Sequence, residues 1–301
     1  MVSFDSSPDT TVYLPNVEVE TLERYTVGGY HPTVIGDTFH GRYEVAHKLG
    51  FDQQSQKYVA FNERKILRLL SNNPNSHPGR RFVPRLLDEF AIDGPNGRHL
   101  CLVQDVNACS VTISKEWSSN NMFPVETARS IAPQLITGAS YLHSRGVGSV
   151  IPSHPFAADI WTLGVSLYEP LGERVLFETF SCDRDDILAD IINTLGLPPQ
   201  RWWDAWANRG ISRIYTPAWR PLEQGIWDMG RGETPETCER DVEGGEPKEL
   251  LALFRGMLAW EPEERWTAEE VVRSEYMVKW ARPAWKRQIK RQGGVCKCEA
   301  D

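Results

Sequence analysis

Few residues in this sequence combine the type and the spacing that catalysis or metal binding needs. Of six cysteines, only Cys296 and Cys298 are close together, and this pair lacks the further ligands of a zinc site. Free thiols and no metal are therefore predicted. Three carboxylates, Asp183, Asp185 and Asp186, lie near the start of a predicted helix, where they would complement the helix dipole. These residues alone identify no reaction.

Composition excludes some partners. The 301 residues carry 33 Lys and Arg against 41 Asp and Glu, a formal net charge of −8, so the chain has no general attraction for nucleic acid or anionic membranes. A basic partner suits it better. The first residues contain no apolar run of secretory type, and no later stretch of 18 apolar residues predicts a membrane span. A cytoplasmic or nuclear location is expected.

The pattern up to Val106 predicts a strand-rich region with a single helix. A loosely held arm is expected before it. Alternating residues, turn signals and one amphipathic run predict strands Arg42–Gly50, Tyr58–Phe61, Arg81–Phe90 and Arg98–Val106, and a helix Glu63–Leu70.

After Val106 the chain reads as mostly helical, because apolar residues recur at three- and four-residue spacing. The predicted helices are Val125–His143, Ala158–Leu171, Asp185–Leu195, Glu249–Leu258 and Thr267–Met277. The last opens with a capping box, Thr267 to Glu270. Strands followed by helices predict an α+β fold with a cleft between a small and a larger lobe.

Several motifs give the chain a specific resemblance. Asp159-Ile-Trp161-Thr-Leu-Gly164 fits the D-x-W-x-x-G signature of protein kinases, and Met257–Ala268, with Arg265, resembles a late motif of that family. The entry sequence from Gly28 to Tyr43 is similar to that of SR-protein kinases, which phosphorylate Ser in Arg/Ser-rich tails. Asp93–Val103 and Gly172–Phe180 resemble fungal members. The resemblance covers roughly residues 25–290.

The resemblance implies a kinase-like two-lobe α+β fold. Its parts would be an arm (1–27), an incomplete small lobe (28–107), a larger helical lobe (108–290) and a tail (291–301). By resemblance Asp159 braces the catalytic loop, with Trp161, Gly164 and Arg265 as further structural motif residues. The remaining assignments by resemblance are the helix Glu at Glu63, residual nucleotide contacts at Asp105, Val106, Asn107 and Ala60, and docking of Arg-rich proteins at Asp183, Asp185 and Asp186.

For several of these residues a simpler interpretation stays open. Asp159 could be a carboxylate at the start of a helix beside a buried Trp, and an edge strand between two lobes would look like the predicted nucleotide contacts. Arg265 would be either exposed or paired anew if the Glu that it meets in the family is missing. The basic run Lys286–Arg291 is either an import signal or a solvated helix end.

Kinase chemistry needs a glycine loop and a strand Lys over the phosphates. Only seven residues separate Gly50 from Tyr58, whereas a glycine turn with a second strand and its return needs roughly 10 to 14. The strand Lys of the family falls on Asn62, which has no ammonium group. Glu63 follows at once, without its usual partner.

The catalytic and activation segments are missing as well. Only twelve residues separate Gly146 from Asp159, fewer than the roughly fourteen that the three family motifs require before any connection is added. No His is followed two positions later by Asp, and no D-F-G occurs. Asp228-Met-Gly230 with Pro235-Glu236 imitates these motifs, but in the wrong order along the chain. No catalytic residue is predicted, although the intact family uses ATP and magnesium.

Three hypotheses stay open. The first is that the chain is a non-catalytic kinase homologue that binds basic Arg/Ser-rich proteins or another kinase. Alternatively, its locus encodes an active serine/threonine kinase from which two blocks are missing here through splicing or an error in the gene structure. The third is that the chain does not fold stably, because the losses leave strand edges and helix ends without partners.

Overall fold

A computed structural model describes residues 22–49, 57–71, 77–107, 109–149, 153–178, 183–207, 220–227, 229–232 and 236–291. The chain divides into two compact units. The first comprises Met1–Pro74 with Pro84–Val106, and the second Asn75–Val83 with Asn107–Asp301. The predicted domain limits at residues 27, 107 and 290 stay predictions.

The first unit contains two hairpins and a helix. Its described elements are a 3₁₀ turn Leu22–Arg24, strands β1 (Thr38–Phe39) and β2 (Tyr43–Glu44), helix α1 (Lys57–Ser71), and strands β3 (Leu86–Gly94) and β4 (Gly97–Gln104). β1 pairs with β2, and β3 with β4, both antiparallel. The β3–β4 register runs from Leu86 opposite Gln104 to Gly94 opposite Gly97, and Gly97 takes the positive φ of 115° that closes this turn.

The strand predicted at Tyr58–Phe61 is wrong, because these residues form the first turns of α1. A short β-prone run needs a neighbouring strand for its backbone hydrogen bonds, whereas a helix supplies them within the segment. The predicted helix Glu63–Leu70 is confirmed and is longer than expected. Asn62, the residue at the family's Lys position, therefore lies on a helix.

Two other strands are shorter than predicted. In the described part of Arg42–Gly50, only Tyr43 and Glu44 are strand, and Val45 still exchanges backbone hydrogen bonds with Gly36 and Asp37. The strand predicted from Arg81 begins at Leu86 instead. The preceding Pro78–Phe82 is a 3₁₀ helix of the second unit, where Phe82 contacts Trp285 with ring centroids 5.4 Å apart.

The second unit is helical. Besides two 3₁₀ turns (Pro78–Phe82, Ser119–Asn121) and a π-helical turn (Met277–Ala281), its described helices are α2 (Val111–Glu116), α3 (Val125–Ser144), α4 (Pro155–Leu171), α5 (Arg184–Leu195), α6 (Gln200–Ala205), α7 (Leu222–Trp227), α8 (Glu246–Met257), α9 (Ala268–Arg273) and α10 (Arg282–Arg291). All five predicted helices are present, and with the strand-rich first unit they confirm the α+β class and an incomplete kinase-type fold.

A single large core holds most of these helices together. Ile136 of α3, Leu167 of α4 and Leu250 of α8 are fully buried in it. Gly164 lets α4 approach the end of α8: a Cβ at this position would lie 3.1 Å from both Met257 Cβ and Leu258 Cδ2. Close approach therefore explains the glycine of the D-x-W-x-x-G motif.

The helix predicted at Thr267–Met277 ends early. The capping box is confirmed, since Glu270 N donates to Thr267 Oγ1 and Thr267 N donates to the Glu270 carboxylate. The helix stops at Arg273 because Ser274 has extended backbone angles, and a π-helical turn follows at Met277–Ala281.

Some predictions concern residues outside the described ranges. The residues concerned are 1–21 of the arm, 292–301 of the tail, and Asp228 and Pro235 of the imitation magnesium motif. Within the described ranges, no helix is long and apolar enough to cross a bilayer, and no group of three or more His, Cys, Asp or Glu could hold a metal.

Candidate functional site

The candidate site is the junction between α3 and α4, where the family's catalytic segment would be inserted. Helix α3 ends at Ser144, and Gly146 follows with a φ of 71°. Helix α4 begins at Pro155, whose missing N–H costs nothing at the first position of a helix. Ten residues, 145–154, therefore connect the two helices.

Asp159 pairs with a side chain from α3. Its Oδ2 lies 3.0 Å from His143 Nε2. The His143 side chain is only 11% exposed and contacts the Phe156 ring, with centroids 4.7 Å apart, while the Asp159 side chain is 34% exposed. The carboxylate that resemblance assigns to bracing a catalytic loop thus contacts the helix that precedes the missing loop.

Arg265 also has new partners. Its Nε donates to Ala259 O at 2.7 Å, its NH1 to Ala157 O at 3.1 Å and its NH2 to Trp260 O at 2.9 Å. The guanidinium lies 4.7 Å from the centre of the Trp161 ring. Burial lowers the pKa of Arg265 from its ordinary value. The sequence left two outcomes open for Arg265, exposure or new partners. The structure shows new partners, and these are backbone carbonyls in place of a carboxylate.

A cleft of about 540 Å³ lies at this junction. Its lining includes His143, Arg265 and two carboxylates, Glu263 and Glu269. Each carboxylate has a side-chain nitrogen beside it: Glu263 Oε1 lies 2.9 Å from His154 Nε2, and Glu269 Oε2 lies 3.8 Å from an Arg273 nitrogen. Phosphoryl transfer requires carboxylate and amide oxygens that can bind magnesium. The carboxylates of this cleft instead lie beside the exposed side chains of His154 and Arg273.

The predicted nucleotide-binding residues fall in both units. Asp105 lies 3.6 Å from Arg85 in the first unit, where Val106 is 80% exposed. Asn107 belongs to the second unit and is the first residue of its longer segment, Asn107–Asp301. Ala60 is in α1 rather than on a strand. Nucleotide contact by these residues stays a prediction.

Glu63 is on a helix, as the resemblance requires, but its observed neighbour is an amide. Gln104 Nε2 donates to Glu63 Oε1 at a long 3.5 Å, and Glu63 is exposed. The charge pairs of α1 lie one and five residues further on: Arg64 Nε donates to Glu89 at 2.9 Å, and Arg68 contacts the same carboxylate. Charge pairing in this unit therefore holds α1 against β3.

Asp183 and Asp185, which are predicted docking acids, contribute to the local structure. Asp183 caps α5 by accepting a hydrogen bond from Asp185 N at 2.8 Å. Asp185 accepts a hydrogen bond from Trp206 Nε1 at 2.6 Å. Asp186, in the first turn of the helix, is exposed. A structural role is thus observed for Asp183 and Asp185, and docking stays a prediction for all three.

The sequence did not identify His143 as the partner of Asp159. The two residues are sixteen positions apart, and their pairing depends on how α3 and α4 pack. A second feature that the sequence did not reveal is a cleft at the C-terminal end of α5, lined in part by Trp260 and Glu264. In the sequence the cleft is marked by Leu197, which is exposed in the structure, and by the two prolines that follow it. This pattern is too common in loops to identify a site.

Comparisons with known proteins identify relatives among the kinases. The chain is 33% identical to human SRSF protein kinase 3 over 152 residues, which cover 42% of this chain and 27% of that protein. It is 31% identical to protein kinase dsk1 of Schizosaccharomyces pombe over 149 residues, or 41% of this chain and 27% of that kinase. A serine/threonine protein kinase of Aspergillus fumigatus is 23% identical over 366 residues, or 87% of this chain and 91% of its own.

No protein-family model matches the chain. In its match to human SRSF protein kinase 3, the chain spans about a quarter of the length of its relative. The match to the Aspergillus kinase extends over most of both proteins, with lower identity. The resemblance inferred from the motifs is confirmed, because SRSF protein kinase 3 of human, protein kinase dsk1 of fission yeast and a serine/threonine protein kinase of Aspergillus all match: the chain is related to the SR-protein kinases.

Proposed function

We propose that this chain is a non-catalytic relative of the SR-protein kinases that binds basic, Arg/Ser-rich segments of other proteins. The observation that carries the proposal is the junction at which α3 and α4 are joined by ten residues and Asp159 pairs with His143. A catalytic loop, a magnesium loop and an activation segment would have to be inserted there, and the connecting residues are too few to supply them.

The described residues offer few replacements for the groups that phosphoryl transfer needs. Phosphoryl transfer depends on positioned cations that neutralise the phosphates and on a carboxylate that accepts the proton of the attacking hydroxyl. At the position of the family's strand Lys the chain has Asn62, on a helix. The two carboxylates of the junction cleft, Glu263 and Glu269, lie beside His154 and Arg273. ATP and magnesium accordingly have no role in the proposed function.

Binding of a basic segment is supported by charge and by the retained helical unit. The formal net charge of −8 favours association with Arg-rich sequences. The core that joins α3, α4 and α8 includes Ile136, Leu167 and Leu250, which are fully buried. The proposal places the chain in the cytoplasm or nucleus, where Arg/Ser-rich proteins occur.

Two assays on the purified chain test this proposal. With Mg-ATP and an Arg-Ser octarepeat peptide we expect no phosphate transfer, and with the same peptide labelled for fluorescence anisotropy we expect saturable binding that a Gly-Ser octarepeat does not show. Nucleotide-dependent thermal shifts would detect any residual ATP binding. Transfer that is abolished by Asp159→Asn but retained in a control, Glu243→Gln, would overturn the non-catalytic assignment.

A second candidate, an active kinase whose other blocks are encoded elsewhere at the locus, is favoured by one observation. The match to the Aspergillus kinase extends over 366 residues, whereas this chain has 301, so segments of that kinase have no counterpart here. The sequence losses are also abrupt, with well-matched residues on both sides. Sequencing of the native transcript across codons 48–63 and 143–161 separates the two candidates: longer products that restore an H-x-D loop support an active kinase, and the junctions as written support the binding role.

A further inference from the structure

The outer edge of strand β4 is open among the described residues. The sheet that β4 forms with β3 has two strands, so each strand has one edge that pairs with no other described strand. Tyr58–Phe61, which the sequence predicted as a further strand, is helical and cannot add a strand to this edge. A strand edge presents backbone N–H and C=O groups that can pair with another chain.

The β3–β4 turn shows which residues of β4 direct their backbone groups outward. Gly94 and Gly97 are opposite each other across a two-residue turn, so they form a hydrogen-bonded pair. Hydrogen-bonded and non-hydrogen-bonded pairs alternate along an antiparallel ladder, and the alternation directs the backbone groups of Cys101 toward β3. Leu100 and Leu102 therefore direct their N–H and C=O groups away from β3. No described backbone group outside the ladder pairs with these two leucines.

The outer edge of β3, by contrast, is protected. Glu89 N also points outward, but it donates to Asp88 Oδ1 at 2.8 Å, and Leu86 N donates to Ser71 Oγ at 3.1 Å. The register of β3 is irregular between Leu86 and Asp88. Charged side chains and irregular register are features by which edge strands avoid pairing. From His99 to Gln104, β4 has no Asp, Glu, Lys or Arg, so its edge lacks this protection.

The sequence of β4 suits pairing with an identical strand. In an antiparallel pair centred on Cys101, Leu100 of each copy is opposite Leu102 of the other, and these outward-facing residues exchange N–H···O=C bonds. Arg98 and Asp105 lie at opposite ends of this segment, so the antiparallel orientation brings unlike charges to the same end. A parallel pair would bring like charges together.

We infer that a second copy of this chain pairs antiparallel with β4 about a two-fold axis at Cys101. The two hairpins then form one continuous sheet, with two strands from each copy. The matched leucines and the opposite charges at the two ends favour an identical strand over a strand of another protein. This dimer is independent of the proposed binding of Arg/Ser-rich segments, so either can fail without the other.

Sedimentation velocity of the full chain over a range of protein concentrations tests the dimer. The unmodified chain should sediment as a concentration-dependent dimer. Leu100→Pro removes an outward N–H that the pairing with β3 does not use, and it should raise the dimer dissociation constant at least about tenfold, because each dimer loses two hydrogen bonds. Ala91→Pro is the matched control. Ala91 is opposite Leu100 and directs its N–H to the outer edge of β3, so this variant should leave the dissociation constant unchanged.

Oxidative cross-linking with copper phenanthroline tests the position of the axis in the unmodified fold. In a pair centred on Cys101 the two thiols belong to opposed residues of a non-hydrogen-bonded pair, whose Cα atoms are about 4.5 Å apart, within the range of disulfides. A cross-linked dimer should therefore form, although burial raises the pKa of the Cys101 thiol and slows its oxidation. Cys101→Ser should abolish the cross-link and leave the sedimenting dimer. Cys109→Ser should leave both, although Cys109 is exposed and would be linked first by random collisions.

Several results would overturn the inference. One is sedimentation as a monomer at every concentration. Another is a dimer that folded Leu100→Pro retains unchanged, or that Ala91→Pro weakens equally, because the interface would then lie elsewhere. A cross-link that requires Cys109 and not Cys101 excludes the proposed axis. Circular dichroism melts identify a variant that is unfolded, and if Leu100→Pro does not fold, the cross-link and its loss in Cys101→Ser decide the outcome.

Discussion

Replacing Arg129 by Met should destabilise the helical unit through the carboxylate that the substitution leaves behind. Glu246 is fully buried and accepts hydrogen bonds from Arg129 Nε at 2.8 Å and NH2 at 2.5 Å. Its other described hydrogen-bond partner is Asp241 N, at 2.8 Å. Burial alone would lower the pKa of Arg129, but the hydrogen bonds and charge of Glu246 outweigh it and raise that pKa above its ordinary value. Each charge of this buried pair therefore stabilises the other.

The expected loss of stability follows from the burial of Glu246, the carboxylate that remains. Removing one partner of a buried ion pair costs about 3–5 kcal/mol, because the other charge stays desolvated without compensation. Glu246 keeps one backbone donor, which favours the lower end of this range. In a helical unit of this size, that loss corresponds to a fall of about 10 °C in Tm. Urea unfolding followed by circular dichroism measures the free energy directly.

The double variant Arg129→Met, Glu246→Gln separates a stranded charge from lost packing. Because Gln can still accept the Asp241 hydrogen bond without carrying a charge, we expect the double variant to be more stable than Arg129→Met alone at pH 7.

Two results would refute this reasoning. One is a cost below about 1 kcal/mol for Arg129→Met, the level of an exposed ion pair. The other is a double variant that is less stable than the single variant, which would mean that the carboxylate contributes more than its pairing with Arg129. Arg287→Gln is a matched control, because Arg287 pairs with Glu126 in a half-exposed position and its loss should cost less than about 1 kcal/mol.

Further predictions concern the junction and the helix ends. His143→Ala should lower the unfolding free energy by about 1–2 kcal/mol, because it removes the part-buried partner of Asp159, as measured by chemical unfolding. Gly164→Ala should cost about 1–3 kcal/mol through overpacking between two helices, measured in the same way. Hydrogen bonds from the Thr267 backbone and side chain lower the pKa of Glu270, so its contribution is present above the unfolded pKa and lost as the pH falls through the lower folded one. Comparing unfolding of the parent chain and Glu270→Gln from pH 7 to pH 3 should show their difference narrowing.

Each of these predictions has a control in the same chain. His154→Ala removes a pair whose side chains are 45% and 65% exposed, and it should have less effect than the junction variant. Gly225→Ala places a Cβ 3.4 Å from Tyr168 Oη, an ordinary contact, so it should be nearly neutral. Glu275→Gln removes an exposed carboxylate paired at 2.9 Å with Lys279, and it should not reproduce the pH dependence of the capping box. Equal effects of variant and control would contradict the corresponding prediction.

The predictions that succeeded depend on local sequence. Helices such as Val125–Ser144 and Arg184–Leu195 have apolar residues at helical spacing, and the capping box at Thr267 is a contact between residues three positions apart. Local patterns carry this information because helical hydrogen bonds and caps join neighbours in the chain. The predicted strand Tyr58–Phe61 failed for the complementary reason, since a strand is stable only if another strand lies beside it.

By itself, the sequence determined the α+β class, the kinship and the absence of the kinase motifs, because these depend on residue types and on the number of residues between them. Tertiary structure alone decided which groups meet. Asp159 lies beside His143, Arg265 binds three backbone carbonyls, and Leu197 and Glu264 line one cleft. His143 lies 16 positions from Asp159 and Ala157 lies 108 positions from Arg265, so only the packing of helices around a shared core brings these groups within hydrogen-bonding distance.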